Sequence, residues 1–170
     1  MNNQMKLPGA EFSECGRHRY LLRLPTGLLN DRIALGIFAN PSTATAEVLD
    51  PTMRRWRAYC RDWGYGWSWT ANIEPTRETN PRLVVPAPPE MQARNSEWIL
   101  AAAESADLVV CGWGQLGGPR GLGTLQALRS IGIVPHALKL NANGTPAHPL
   151  YLKARLRPKA MLVEQLEEED

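Results

Sequence analysis

The stretch DRIALGIFANPS, residues 31–42, decides the fold. Residues 33–38 form an almost unbroken apolar run, which is typical of a strand that is covered on both faces of a sheet. Asn40, Pro41 and Ser42 follow after Ala39, and they end the strand because proline cannot donate to a sheet and the other two favour turns. A buried strand that ends on polar side chains predicts that this end forms the wall of a site.

Strand and helix patterns alternate along the rest of the chain. The segment RYLLRL (19–24) and the stretch 31–39, separated by the turn sequence PTGLLN, predict a short N-terminal β-hairpin. A helix is predicted from Pro51, with Asp50 as its N-cap and Gly64 at its end. The remaining elements are predicted as strands at 67–73, 107–114 and 133–140 and as helices at 89–105, 122–132 and 159–169.

This alternation predicts an α/β fold. We expect a three-layer α/β/α arrangement with a central four-stranded parallel sheet, helices on both faces and the short N-terminal hairpin added to it. Residues 1–170 are expected to form a single domain, because this length suits one hydrophobic core.

Composition narrows the class of protein. The 19 lysines and arginines against 17 acidic residues give a net charge of +2, too small an excess to indicate polyanion binding by itself. The three cysteines include no C-x-x-C pair, which disfavours a disulfide framework or a zinc site and fits a reducing cytoplasm. The chain shows neither the apolar region of a secretory signal nor a run long enough to span a bilayer. We therefore expect a soluble cytoplasmic protein, a monomer or weak dimer without membrane contact.

Polar or aromatic residues follow each strand of the predicted parallel sheet. The first strand ends at Asn40 and the second at Asn72, which precedes a long proline-rich loop. The third ends in a Gly-Trp-Gly triplet around Trp113, and the fourth leads through a turn to His148. Ligands bind at the carboxyl ends of strands in open parallel sheets. We therefore expect these side chains to meet around one cavity.

Three motifs in this order resemble the uracil-DNA glycosylase superfamily. Its members carry a G-x-N-P-G or G-x-D-P-Y motif after strand one, an asparagine-ended strand two and an H-P-S motif after strand four. The matching stretches here are FANPS (38–42), TANIEPTRETNP (70–81) and AHPLYL (147–152). The motifs NPSTA, DPTMRR, WGYG and HPLYL are also similar to a bacterial and phage family, domain of unknown function 1643, whose name implies no activity.

The glycosylase resemblance implies hydrolysis of a modified or mismatched pyrimidine base from DNA, as in DNA repair or modification, without a cofactor or metal. Asn40 would hold the attacking water, and His148 would donate a hydrogen bond to the oxygen of the departing base. Asn72 would read the base, because a carboxamide complements a pyrimidine carbonyl next to its ring N–H. The other residues expected at the base are Phe38, Trp67, Trp113 and Tyr65. The residues expected at the DNA strand are Ser42, Arg54, Arg55 and Arg77, with Leu150 and Tyr151 as a wedge.

The chain departs from the glycosylase motifs at two places. In the first motif, Phe38 and Ser42 stand where the family has glycines, so the substrate need not be uracil. In the last motif, Leu150 replaces the serine of H-P-S. No aspartate accompanies Asn40, although Asp50 or Glu74 can approach from flanking loops.

Each candidate residue also has a purely structural interpretation. Asn40 and Asn72 can simply end strands, the tryptophans can be core residues, and the arginine run around Arg54 can be a solvated helix face. At the level of the whole protein, two alternatives to a DNA glycosylase stay open. One is a non-catalytic module that recognises a base or nucleic acid, and the other is an enzyme acting on free nucleosides or nucleotides.

Overall fold

The computed structural model describes residues 7–43 and 47–162. The elements within these ranges, in chain order, are β1 (Gly9–Phe12), β2 (Arg19–Pro25), β3 (Ile33–Phe38), α1 (Pro51–Asp62), β4 (Trp67–Asn72), α2 (Pro89–Ser105), β5 (Leu108–Cys111), α3 (Gly118–Ser130), β6 (His136–Ala137) and β7 (Lys159–Ala160). Short 3₁₀ turns lie at Pro81–Leu83, Gly114–Leu116 and Pro149–Tyr151.

The strands form one mixed sheet in the order β1-β2-β4-β3-β5-β6-β7. The middle strands β4, β3, β5 and β6 run parallel to one another, whereas β1, β2 and β7 are antiparallel additions at the two edges. The expectation of a mixed α/β fold is confirmed, but the sheet has seven strands in the described residues and is larger than the predicted four.

The predicted hairpin between residues 19–24 and 31–39 is wrong. β2 pairs with β1 on one side and with β4 on the other, because β4 and β5 already occupy both edges of β3. The connection to β3 passes the start of β4, where Asn30 Oδ1 accepts from the backbone N–H of Gly66 at 2.9 Å. A Cβ atom at Gly66 would lie 1.9 Å from the carbonyl oxygen of Asn30, so this crossing requires glycine.

The predicted C-terminal helix at 159–169 is also wrong in its described part. Lys159–Ala160 forms β7 and pairs antiparallel with β6, which closes the open edge of the parallel strands. Met161 is buried in the core, and its backbone N–H donates to Pro135 at 2.8 Å. The rest of that prediction, residues 163–169, lies outside the described residues.

The helices agree more closely with the sequence pattern. α2 has the predicted bounds, and α1 begins at Pro51 with the Asp50 carboxylate accepting from the backbone N–H of Met53 at 2.7 Å. α3 begins at Gly118, a turn earlier than predicted, and β5 and β6 are shorter than predicted.

Two clusters of buried side chains lie on opposite faces of the sheet. Ala34 and Phe38 of β3 belong to the cluster under α1, which includes Trp56. Leu35 and Ile37, which alternate with them, belong to the cluster under α2 and α3. Phe38 is therefore the last buried ring on the α1 face at the carboxyl end of β3. In the described part of the chain, no helix combines the length and apolar character needed to cross a bilayer.

Candidate functional site

A cavity of about 620 Å³ opens at the carboxyl ends of β3, β4 and β5. Its volume lies in the range of sites that enclose a small molecule. Asn40, Asn72 and His148, which lie far apart in the sequence, all line it. The expected meeting of these side chains around one cavity is therefore present, and their chemical roles stay predictions.

Asn40 is held in a fixed orientation by the loop that follows β4. Its Nδ2 donates to the backbone carbonyls of Glu78 at 2.8 Å and Pro41 at 3.2 Å. The backbone N–H of Glu78 donates to Pro41 at 2.9 Å, so the two loops are tied at two points. Because both side-chain hydrogen bonds of Asn40 use the nitrogen, Oδ1 is the atom that can accept from a ligand or water.

Asn72 lies on the floor of the cavity and is only 2 % exposed. It is the register partner of Phe38 across the parallel β3–β4 pair, and its backbone carbonyl accepts from Asn95 Nδ2 at 2.7 Å. No donor among the described residues reaches its buried Oδ1. A buried carbonyl oxygen without a partner costs free energy, so this atom is suited to accept from a ligand that enters the cavity.

His148 lies on the wall of the cavity, directly before the 3₁₀ turn Pro149–Tyr151. Its Nδ1 accepts from the backbone N–H of Leu150 at 3.3 Å, which leaves Nε2–H as the donor of the neutral ring. Burial lowers the pKa of His148 below its ordinary value, and the nearby Asp50 carboxylate offsets part of this shift. The ring is therefore neutral near pH 7.

Two aromatic rings shape the inner wall. Phe38 packs edge-on against Trp56, and its ring centroid lies 6.0 Å from that of His148. Trp113 is buried against α3, where a Cβ atom at Gly121 would lie 2.6 Å from the indole Nε1. Phe38 and Trp113 thus line the cavity and also belong to the core, and their contact with a base stays a prediction.

Ser42 and Asp50 form a polar pair at the side of the cavity. The Ser42 hydroxyl donates to Oδ2 of Asp50, while Oδ1 caps α1. Both residues line the cavity. A carboxylate thus lies on the same cavity lining as Asn40.

Leu150 and Tyr151, the predicted wedge, lie at the rim of the cavity in the 3₁₀ turn Pro149–Tyr151. Tyr151 is 86 % exposed, and its ring centroid lies 6.2 Å from that of His148. The exposed Leu116 faces them from the turn after β5. The mouth of the cavity therefore carries apolar and aromatic groups.

Trp67 and Tyr65 do not reach the cavity. Trp67 is the first residue of β4 and pairs with Ile33, the first residue of β3, so it lies at the amino ends of the parallel strands. Tyr65 precedes it and is covered by the guanidinium of Arg32, 4.4 Å from the ring centroid. The expectation that these two rings stack on a base is not met, because the site lies at the other end of the same strand.

The three arginines predicted to contact DNA also do not line the cavity. Arg54 lies on the outer face of α1, beside Arg57 and Arg61. Arg55 donates to the carbonyl of Leu152, and Arg77 donates to the carbonyls of Gly16 and Thr43 at 3.2 and 3.4 Å. Arg55 and Arg77 therefore fix loops around the site.

Glu74 lies beside the site in a separate cavity of about 200 Å³ that shares Asn40 as a wall. Its carboxylate accepts from Thr76, from the backbone N–H of Ala87, from Gln92 and from Arg120. Burial raises the pKa of Glu74, but the hydrogen bonds from Thr76, Ala87 and Gln92 together outweigh that effect and leave the pKa lowered. Glu74 thus anchors the loop after β4 and does not face the main cavity.

Sequence analysis missed two charged residues of the lining, Arg19 and Glu78. Arg19 is the first residue of β2, and because β2 is antiparallel to β4, its first residue lies at the same edge as the last residue of β4. The available signal was an arginine at the start of a largely apolar strand. This signal does not place Arg19 at the site unless the pairing of β2 with β4 is known.

Residues 19–150 match the family described as protein of unknown function DUF1643. Comparisons with curated proteins and with solved structures find no match. The resemblance to uracil-DNA glycosylases therefore rests on the three sequence motifs.

Proposed function

The chain belongs to the DUF1643 family, whose name assigns no activity, and we infer its function from the site. We propose that it is an N-glycosylase-like hydrolase that removes a modified or mismatched pyrimidine base from DNA. One observation supports this most directly. Asn40, Asn72 and His148 line one cavity, and among the described residues no donor reaches the buried amide oxygen of Asn72.

The reaction adds water to C1′ of the sugar while the C1′–N bond breaks and its electron pair leaves with the base. Asn40 Oδ1 accepts a hydrogen bond from the attacking water and holds it in place. An amide cannot take the proton of that water, so Asp50, the carboxylate on the same lining, accepts it.

The departing base carries negative charge, which has to be stabilised as it develops. Nε2–H of neutral His148 donates to a carbonyl oxygen of the base, and this contact strengthens as the charge grows. Asn72 accepts from the ring N–H next to that carbonyl and so selects a base of the uracil or thymine type.

A second candidate function is hydrolysis of free pyrimidine nucleosides or nucleotides. It is favoured by the charge of the lining, where Arg19 is accompanied by Asp50 and Glu78, while Arg54, Arg55 and Arg77 lie elsewhere. DNA-binding sites need a positive path for phosphates, whereas a small-molecule site does not.

The test incubates the protein with oligonucleotides that carry uracil and 5-substituted pyrimidines, followed by alkali, and in parallel with the corresponding free nucleosides and nucleotides. Strand scission that disappears in Asn40→Ala and His148→Ala supports the DNA glycosylase. His136→Ala is the matched control, because His136 lies on β6 outside the cavity lining. Base release from the free compounds alone supports the second function. Binding without release from either substrate indicates a recognition module and contradicts both.

A further inference from the structure

The pairing of β1 with β2 contains a β-bulge. Glu11 pairs with Leu21 and Phe12 with Arg19, so Tyr20 is an extra residue on β2. Side chains of a regular strand alternate between faces, and a bulge shifts that alternation by one. Leu21 joins the cluster under α2 and α3, and the Tyr20 hydroxyl donates to Met91 of α2 at 3.1 Å, so both lie on that face.

The bulge sends Arg19 to the opposite face of the sheet. Without it, Arg19 would lie on the same face as Leu21, among apolar side chains. With it, Arg19 lines the cavity together with Asp50 and Met53 at the start of α1. Bulges next to binding sites commonly redirect a side chain in this way.

Arg19 is a buried cation, only 1 % exposed. Burial lowers its pKa to about 10, although Asp50 acts in the opposite direction, so the guanidinium stays charged at neutral pH. Burying a charge costs free energy, and a buried charge with a perturbed pKa beside a cavity is a candidate for a functional group. The position of Arg19 also puts it next to the end of β4, where Asn72 lies.

We propose that Arg19 is a catalytic residue that binds the anionic form of the departing pyrimidine and so supplies, with His148, the electrostatic stabilisation of the leaving base. This inference rests on the proposed function and deepens it. When the C1′–N bond breaks, the electron pair stays on the base and spreads over the ring nitrogens and carbonyl oxygens. A guanidinium fixed beside these atoms interacts more strongly with the departing base than with the neutral base of the substrate, which is the condition for faster cleavage.

The inference predicts a preference for an anionic base that can be measured without turnover. At neutral pH uracil is neutral, whereas 5-nitrouracil is largely an anion. We expect the full-length protein to bind 5-nitrouracil at least about tenfold more tightly than uracil, as measured by NMR titration. Arg19→Gln should lose most of this ratio while still binding uracil, and Arg19→Lys should keep part of it. Arg61→Gln is the control, since Arg61 lies exposed on the outer face of α1.

The outcomes separate the two claims. Equal affinity of the wild-type protein for both bases overturns the role of Arg19 and leaves the base site intact. An unchanged ratio of the two affinities in a folded Arg19→Gln protein also overturns the role of Arg19. If the wild-type protein binds neither base, the proposed function fails and the inference fails with it. Because equal affinity in the wild-type protein already overturns the role of Arg19, the proposal can be refuted even if the variants do not fold.

Discussion

The ring of His148 and the backbone of Leu150 are joined by a hydrogen bond in which Nδ1 accepts from the N–H at 3.3 Å. The same bond caps the 3₁₀ turn Pro149–Tyr151 at the rim of the cavity. It fixes the tautomer of the ring and the position of the rim together, so protonation of His148 changes both.

We predict that base release, or base binding, falls on acidification with a midpoint below the ordinary histidine pKa of 6.5. The pKa of His148 is lowered in the folded protein, so the neutral form persists until the pH drops below that value. Protonation then turns Nδ1 into a donor that repels the N–H of Leu150. A pH profile of the wild-type protein beside His148→Gln, which lacks the titrating group, tests this. A midpoint above 6.5, or an identical profile in the variant, would argue against it.

Two glycines of α3 form a matched pair for testing the inner wall. A Cβ atom at Gly121 would lie 2.6 Å from Trp113, whereas nothing lies within 4 Å of a Cβ at Gly123. Alanine favours helix over glycine by about 1 kcal/mol, so Gly123→Ala should stabilise the protein slightly. Gly121→Ala should destabilise it by about 1–3 kcal/mol, because Trp113 must move. Chemical denaturation measures both, and equal effects of the two changes would show that Trp113 does not need this space.

Glu74 should make stability depend on pH. Its folded pKa is lowered below the unfolded value of about 4.5, so its contribution is complete above that pH and is lost as the pH falls through the lowered value. Glu74→Gln should cost about 1–3 kcal/mol of unfolding free energy at neutral pH, and the difference from wild type should shrink below pH 4.5.

Glu97 of α2 is the control for that substitution. It forms an exposed ion pair with Arg94 at 3.7 Å, and such pairs contribute about 0–1 kcal/mol. Glu97→Gln should therefore change stability little at any pH. A Glu74→Gln effect as small as this, or one that does not vary with pH, would show that Glu74 is not an ionised anchor of the loop.

Cys15 should be the fast-reacting thiol of the protein. It is exposed, whereas Cys60 and Cys111 are buried and have raised pKa values. A hydrogen bond from Ser13 and the backbone N–H of Arg17 lower the pKa of Cys15 to about 7. Alkylation rates measured against pH should show one fast thiol with a midpoint near 7, and Ser13→Ala should move the midpoint upward.

Cys15→Ser is the control for the alkylation experiment, because it should remove the fast phase completely. A fast phase that survives in this variant would have to come from Cys60 or Cys111 and would mean that the core opens readily.

The mixed α/β class and the meeting of Asn40 and Asn72 at one cavity could be predicted because one rule links them. A buried apolar run that ends in Asn40, followed by a second strand that ends in Asn72, places both side chains at one edge of a parallel sheet. The rule also explains the two errors among the aromatic residues. Trp67 begins its strand and therefore lies at the opposite edge, and Tyr65 lies beside it.

Arg19 could not be predicted, because its place depends on two features that the sequence pattern does not show. One is the pairing of β2 with β4, which brings the start of β2 to the site, and the other is the bulge at Tyr20, which turns Arg19 into the cavity. The wrong prediction of a helix at 159–169 has a similar cause. Residues with a helical sequence pattern pair with the free edge of β6 and form a strand there.

The central claim is that the buried oxygen of Asn72 reads the ring N–H of a pyrimidine. The most direct test is an NMR titration with 1-methyluracil, whose methyl group takes the place of the sugar, and with 1,3-dimethyluracil, in which that N–H is also blocked. The wild-type protein should bind 1-methyluracil at least about tenfold more tightly, and Asn72→Leu should abolish this difference. Equal binding of the two compounds by the wild-type protein would contradict the claim.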